Sequence, residues 1–148
     1  MKIYLAGPMS GNGYHETAQS FRTKAEILGY AGYTVLHPML GKDELSNERT
    51  LQPHGYDNPT CTNHAIFERD RWMVHMADIV FADLSGATSV SIGTMFELAW
   101  ASQLGKHTVV VLPEGNPHEH AFVLEAADII FRTTDEALTY LTELQKIS

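Results

Sequence analysis

Two carboxylates stand out by their surroundings. Glu97 lies four residues after Gly93 in Ser89-Val90-Ser91-Ile92-Gly93-Thr94-Met95-Phe96-Glu97, inside an otherwise apolar run of Met95, Phe96, Leu98, Ala99, Trp100 and Ala101. A polar turn that opens a helix presents unpaired backbone N–H groups and the positive end of the helix dipole. A carboxylate within such a run costs free energy unless it has partners or a task. The competing reading is an exposed helical glutamate, since one face of any helix meets water. Asp70 sits in Phe67-Glu68-Arg69-Asp70-Arg71-Trp72, where the flanking arginines favour a solvated charged face. Asp78 and Asp83 bracket the next apolar segment, the first suited to a turn and the second to a strand end where functional side chains collect. Several carboxylates near one pocket suit chemistry at a glycosidic carbon. One attacks or stabilises the oxocarbenium-like centre, and another handles the proton.

Other patterns are weaker. Gly11-Asn12-Gly13-Tyr14-His15-Glu16 has two glycines of a dinucleotide fingerprint but Glu16 in place of the third. The next strand ends in His37-Pro38 rather than in an acid, so a dinucleotide site is rejected. The loop still suits a smaller anion or a sugar. Of eight histidines, His118-Glu119-His120 holds the closest pair, with no further ligand at a metal-site interval, and no metal or organic cofactor is expected. A G-x-S-x-G elbow is absent.

The elements that must position these residues alternate between apolar runs and helical patterns. Lys2–Ala6, Tyr33–Leu36, Asp78–Leu84, Thr108–Leu112 and Ile129–Phe131 read as strands. Helices are expected over His15–Leu28, where Ala18, Phe21, Ala25 and Leu28 recur at spacings of three and four, and over Asn63–Met76, Gly93–Leu104 and Asp135–Leu144. Residues 39 to 61, with Gly41, Pro53, Gly55, Asn58 and Pro59, form too long a connection to be ordinary, and such loops often serve as lids or binding loops. The alternation predicts an α/β, doubly wound (Rossmann or flavodoxin-like), parallel five-stranded sheet with helices on both faces, and one domain over residues 1–148. Ligands of such folds sit at the carboxyl ends of the strands. Gly7–Gly13, His37–Pro38, Asp83–Gly93 and Pro113–His120 are therefore expected to converge.

Composition narrows the partners. The 148 residues carry 18 acidic and 10 basic side chains, a net charge of −8, with Lys and Arg scattered singly. That surface repels polyphosphate, which argues against a nucleic-acid polymer or an anionic membrane. No apolar run is long enough for a membrane span, and Ile3–Ala6 is too short for a signal peptide. Cys61 is the one cysteine, so no internal disulfide forms and a reducing, cytoplasmic setting is expected.

Three segments in order carry a resemblance. They are Ile3-Tyr4-Leu5-Ala6-Gly7-Pro8-Met9, then Asp70 with Ala77-Asp78-Ile79-Val80-Phe81-Ala82-Asp83-Leu84, then Gly93-Thr94-Met95-Phe96-Glu97-Leu98-Ala99-Trp100-Ala101 with Gly105-Lys106. Together they resemble the nucleoside 2-deoxyribosyltransferase family from residue 3 to about residue 131. The resemblance implies a doubly wound sheet and work on the bond between C1′ of a sugar and a nucleobase. It implies Glu97 as nucleophile and Asp70 as the residue assisting the base proton. Glu97 would form a glycosyl ester while the base departs, and a second base or water would then attack with net retention.

In typical transferases of this family an aspartate six residues before the nucleophile helps bind the 5′-hydroxyl; here that position is Ser91. Relatives that hydrolyse nucleoside 5′-monophosphates are similar in carrying serine there. A carboxylate would repel a 5′-phosphate, whereas a hydroxyl at a helix N-terminus would donate to it. The expected substrate-binding set is Gly7, Pro8, Met9, Ser10, His37, Asp83, Ser85, Ser91, Gly93, Asn116 and His118, with Ser89 in the phosphate-facing turn. Some monophosphate-cleaving relatives carry an arginine in the first loop, where this chain has Ser10 and Asn12. Asn116–His120 falls where family members often reach a neighbouring subunit's site, so a homodimer or higher homo-oligomer with shared sites is expected. Tyr14 and the Tyr33–Pro38 strand end are expected as walls of the base pocket, and Trp72 and Trp100 as core or interface residues. Hydrolysis of 5′-monophosphates is the favoured activity and deoxyribosyl transfer between bases the alternative. A non-catalytic nucleotide sensor is the alternative from another class. The P-G-G run of cytokinin-activating phosphoribohydrolases has no counterpart before Gly93.

Overall fold

The computed structural model describes residues 1–147. Five parallel strands, β1 (Lys2–Ala6), β2 (Thr34–Leu36), β3 (Ile79–Asp83), β4 (His107–Val111) and β5 (Ile129–Phe131), form one sheet in the order β2-β1-β3-β4-β5. Parallel neighbours need crossovers. These run through α1 (Tyr14–Tyr30), α2 (Asn63–Met76), α3 (Ile92–Gln103) and the short α4 (Ala121–Ala126), and α5 (Thr134–Lys146) follows the last strand. The doubly wound fold read from the alternation is the fold found. Helix α4 was not anticipated. Residues 39 to 61 hold only a single turn of 3-10 helix, Asp43–Leu45.

Side-chain alternation splits the core in two. Ile3, Leu5, Ile79, Phe81, Val109 and Val111 face α1 and α5, together with Phe21, Leu28, Ala137 and Leu141. Tyr4, Ala6, Val80, Ala82 and Val110 face α2, α3 and α4, packing on Met73, Val74, Leu98, Ala101 and Val123. The chain leaves β1 toward β2 and leaves β3 in the opposite direction, toward β4. The carboxyl ends of β1 and β3 are therefore the switch point where such sheets open a crevice. The crevice is divided by the Gly7-Pro8 turn, which lines a cavity on each face of the sheet. At Gly7 the chain passes so near the end of β3 that an added Cβ would lie 3.1 Å from the Asp83 carbonyl oxygen. Among the described residues, no helix is long and apolar enough to cross a membrane.

Candidate active site

The cavity on the α2/α3 face has a volume of about 600 Å³. Its floor is built from three elements. Strand β1 supplies Tyr4, whose even parity turns its ring toward α3, where its hydroxyl donates to Glu97 Oε1 at 2.6 Å. Helix α3 supplies Glu97, one turn inside the N-terminus and only 5% exposed, so the solvated-glutamate reading fails. Helix α2 supplies Asp70, also buried, so the arginines beside it do not mark a solvated face. Arg71 pairs outward with Glu68 at 2.6 Å, and Arg69 donates to the Thr60 carbonyl at 2.9 Å.

Burial and the Asp70 carboxylate push the Glu97 carboxyl up to about 8, against the pull of Tyr4 and Lys42. Asp70 is itself raised, chiefly by burial, while Lys42 and Arg69 act the other way. Burial raises the Tyr4 phenol well above its ordinary value. Tyr4 and Lys42 are site residues that sequence reasoning missed. A tyrosine whose hydroxyl falls on the same sheet face as the following carboxylate-bearing helices was the available signal for the first. For the second, the only hint was a lysine inside the long 39–61 segment.

That segment does form part of the cavity. Leu45, Leu51, Gln52, Pro53, His54 and Tyr56 line it, together with Phe67, Phe96 and Trp100. The three aromatic rings pack edge to face on one another, with centroids 5.1 to 6.3 Å apart. Trp100 thus lines the cavity as well as packing against the core, while Trp72 is exposed.

Of the expected substrate-binding residues, Gly7, Pro8, Met9, Ser10, Ser91 and Gly93 are brought together around this cavity, with Ser89 and Thr94. Asp83 and Ser85 are not. Asp83 has the odd parity of Leu5 and Phe81 and points to the opposite face of the sheet, toward α1 and α5. There it accepts from Lys24 Nζ at 2.8 Å, from the Ser85 hydroxyl at 2.6 Å and from the Thr134 hydroxyl at 3.0 Å. Period-two counting from Ile79 contained that answer. His37 is likewise on the α1 side, stacked on Phe21, its Nδ1 buried without a hydrogen-bond partner.

Asn116 and His118, expected as contact residues, serve within this chain as braces. Both are buried within their own chain and absent from the cavity wall. Asn116 Nδ2 donates to the Leu84 carbonyl at 2.8 Å, and its Oδ1 lies 2.9 Å from His118 Nδ1. The Ser91 backbone N–H donates to His118 Nε2 at 2.7 Å, which makes Nε2 the acceptor and Nδ1 the protonated nitrogen. Burial lowers the His118 imidazole, in keeping with that neutral form. These braces hold the turn before α3, whose cap is Ser91 and whose Ser91 and Thr94 hydroxyls lie 2.9 Å apart. Tyr14 and Tyr33 also sit in the core of the α1/α5 face rather than in a base pocket.

The geometry defines a class of site in which two buried carboxylates face a cleft at the carboxyl ends of a parallel sheet, one of them held from behind by a buried tyrosine. The sequence matches the model of the nucleoside 2-deoxyribosyltransferase family over residues 3–139, and the chain belongs to that family of enzymes. Among solved structures it is similar to a 2-deoxyribosyltransferase from the psychrotolerant bacterium Bacillus psychrosaccharolyticus. That match has 21% identity and a TM-score of 0.67, covering 95% of this chain and 92% of that one. It is also similar to the Clostridium botulinum CMP N-glycosidase BcmB, at 19% identity and a TM-score of 0.58, with both chains fully covered. At these identities the likeness is one of fold. No protein of curated function matches the sequence.

Proposed function

We propose that the protein cleaves the N-glycosidic bond of nucleoside 5′-monophosphates by double displacement, releasing the base and a sugar 5-phosphate. The observation that carries this reading is the Glu97 carboxylate, buried, raised to about 8 and oriented by a 2.6 Å hydrogen bond from Tyr4, with the Asp70 carboxylate in the same cavity. Glu97 Oε attacks C1′ as the C1′–N bond breaks and its electron pair leaves with the base. The pair of carboxyls shares one proton over a range of pH, and the form with Glu97 ionised and Asp70 protonated is the one that reacts. Asp70 gives that proton to the departing base, and water then hydrolyses the glycosyl ester with net retention.

The preference for a 5′-phosphate is supported by the mouth of the cavity at α3. Ser89, Ser91, Gly93 and Thr94 line it and no carboxylate accompanies them there. The first turn of α3 has no acidic residue, so its dipole is left for an anion of the substrate. Transfer between bases is the second reading, favoured by the apolar flank of Phe67, Phe96 and Trp100, a surface on which an acceptor base can stack. A homo-oligomer is also proposed, because Phe67, Trp72, Met76 and Phe96 leave large apolar side chains exposed on α2 and α3.

The purified protein is incubated with deoxynucleosides and with their 5′-monophosphates, with and without a second free base. Base release from monophosphates without an acceptor is expected, and product formed only with an acceptor would replace hydrolysis by transfer. Ser91→Asp is expected to lower kcat/KM for monophosphates at least ~10-fold more than for nucleosides. Equal losses would remove the phosphate assignment.

A further inference from the structure

Lys42 is 2% exposed and lies on the floor of the same cavity, at the residue that opens the Asp43–Leu45 turn. Its Nζ has no hydrogen-bond partner. The nearest anion is Asp70 Oδ2 at 3.7 Å, too long for a hydrogen bond, and Asp70 Oδ1 is unpartnered as well. A buried ammonium with three unused N–H donors beside a carboxylate with an unused oxygen is a costly pair to keep. Here it is nonetheless held in place. Gly41, at φ 73°, turns the chain into position just before Lys42, and a Cβ there would lie 3.3 Å from Arg69 Nη1, which is itself tied to Thr60. Among the described residues lining the cavity, Lys42 is the one Lys or Arg, so the site's basic side chain sits with Asp70 and not with the serines at the α3 end; burial lowers its ammonium, and the Asp70 carboxylate acts the other way.

We propose that Lys42 is a catalytic residue whose ammonium donates to the acceptor atom flanking the glycosidic nitrogen of the base and carries the charge the base acquires on leaving. The proposal rests on the reading of Glu97 as nucleophile. Asp70 and Lys42 together mark the base end of the cleft, and Ser89–Thr94 the 5′ end. As Glu97 forms its bond to C1′, the C1′–N electron pair passes to the base, which becomes an anion if no proton arrives at once. The Lys42 ammonium meets that charge and keeps its own proton, while the proton on Asp70 moves to the base. The chemistry selects bases with an acceptor beside the glycosidic nitrogen: the C2 carbonyl oxygen of a pyrimidine or N3 of a purine. It also gives the unpaired Nζ the hydrogen bond that the empty cavity withholds.

The test separates leaving-group stabilisation from mere support of the fold. Base release by wild type, Lys42→Met and Lys42→Gln is compared for uracil against 5-fluorouracil substrates and for adenine against 3-deazaadenine substrates, with melting temperatures recorded for each variant. Lys42→Met is expected to lower kcat about 10³-fold for the poorer leaving base, uracil, but only about 10²-fold for the more acidic 5-fluorouracil, with Lys42→Gln between. The 3-deaza substitution, which removes N3, should slow wild type about 10²-fold and Lys42→Met hardly at all. A loss of equal size across both series would overturn the role of Lys42 while leaving the Glu97 mechanism standing. If Lys42→Met does not fold, Lys42→Gln carries the same comparison. Absence of base release by wild type from every substrate would bring down the glycosidic reading itself, and Lys42's role with it.

Discussion

Asp70 and Asp83 are almost equally buried, at 7% and 8% exposed, and each has a lysine beside it. On the α1/α5 face Asp83 accepts from Lys24, Ser85 and Thr134. Burial pushes its carboxyl upward, but Lys24 and Ser85 outweigh that and hold it below its ordinary value. On the α2/α3 face Asp70 has its lysine at 3.7 Å and an oxygen with no donor, and burial leaves its carboxyl raised. The same residue pair is thus closed on one side of the sheet and open on the other. A satisfied buried ion pair spends its interactions on the fold. An unsatisfied one keeps them for a ligand, at a cost in stability. Burial and charge by themselves do not separate a structural carboxylate from a functional one; the count of partners does.

The comparison is broken most severely at Glu97. Glu97→Gln is expected to lower base release by about 10⁴-fold with an intact fold. Residual activity within tenfold of wild type would remove the covalent mechanism. Asp70→Asn is expected to cost about 10²-fold for bases that need a proton to leave, and to bring the Glu97 carboxyl down toward its ordinary value by removing the neighbouring charge. In wild type, kcat/KM for such bases should fall as pH rises through about 8, where the carboxyl pair loses its shared proton. A profile still rising above that pH would contradict the assignment.

Asp83→Asn tests the other face. It leaves the half-buried Lys24 without its counter-ion, so a loss of about 1–3 kcal/mol in unfolding free energy is expected in denaturant titration. Per folded molecule, kcat/KM should stay within about threefold of wild type. A loss of activity as large as that of Asp70→Asn would mean that the two cavities communicate through Gly7 and Pro8, which line both.

The last comparison is in thermal stability against pH. Glu97 has a raised value in the fold, so its contribution is fully present below about 4.5 and is lost as pH rises through about 8. The wild-type melting temperature should therefore fall across that window relative to Glu97→Gln. Asp83, held low, contributes stability that is present at neutral pH and lost only as pH falls through its lowered value. Parallel curves for wild type and Glu97→Gln would show that Glu97 is not raised.

Much of this was legible in one dimension. The alternation of apolar runs with helical periodicity marked all five strands and four of the five helices, because a sheet covered on both faces leaves its strands continuously apolar. Helix α4, at six residues, is too short to show a period. The two carboxylates singled out in the sequence, Glu97 and Asp70, line one cavity, since both lie inside regular helices that pack on the same face of the sheet. Asp83, Ser85, Asn116 and His118 lie off the wall of the α2/α3 cavity, because closeness to a strand's carboxyl end does not say which face a side chain joins, or whether a polar group is already engaged.

The sequence by itself determined the α/β alternation, the acidic composition that disfavours polyanions, and the positions of two helical carboxylates, Glu97 in an apolar run and Asp70 between arginines. Only the tertiary structure decided which groups those carboxylates meet. Tyr4 reaches Glu97 across 93 positions of chain because β1 and α3 pack face to face, and Lys42 arrives from an irregular segment with no period to read. Local sequence sets backbone geometry, whereas the partners of a buried charge are chosen by packing between distant elements.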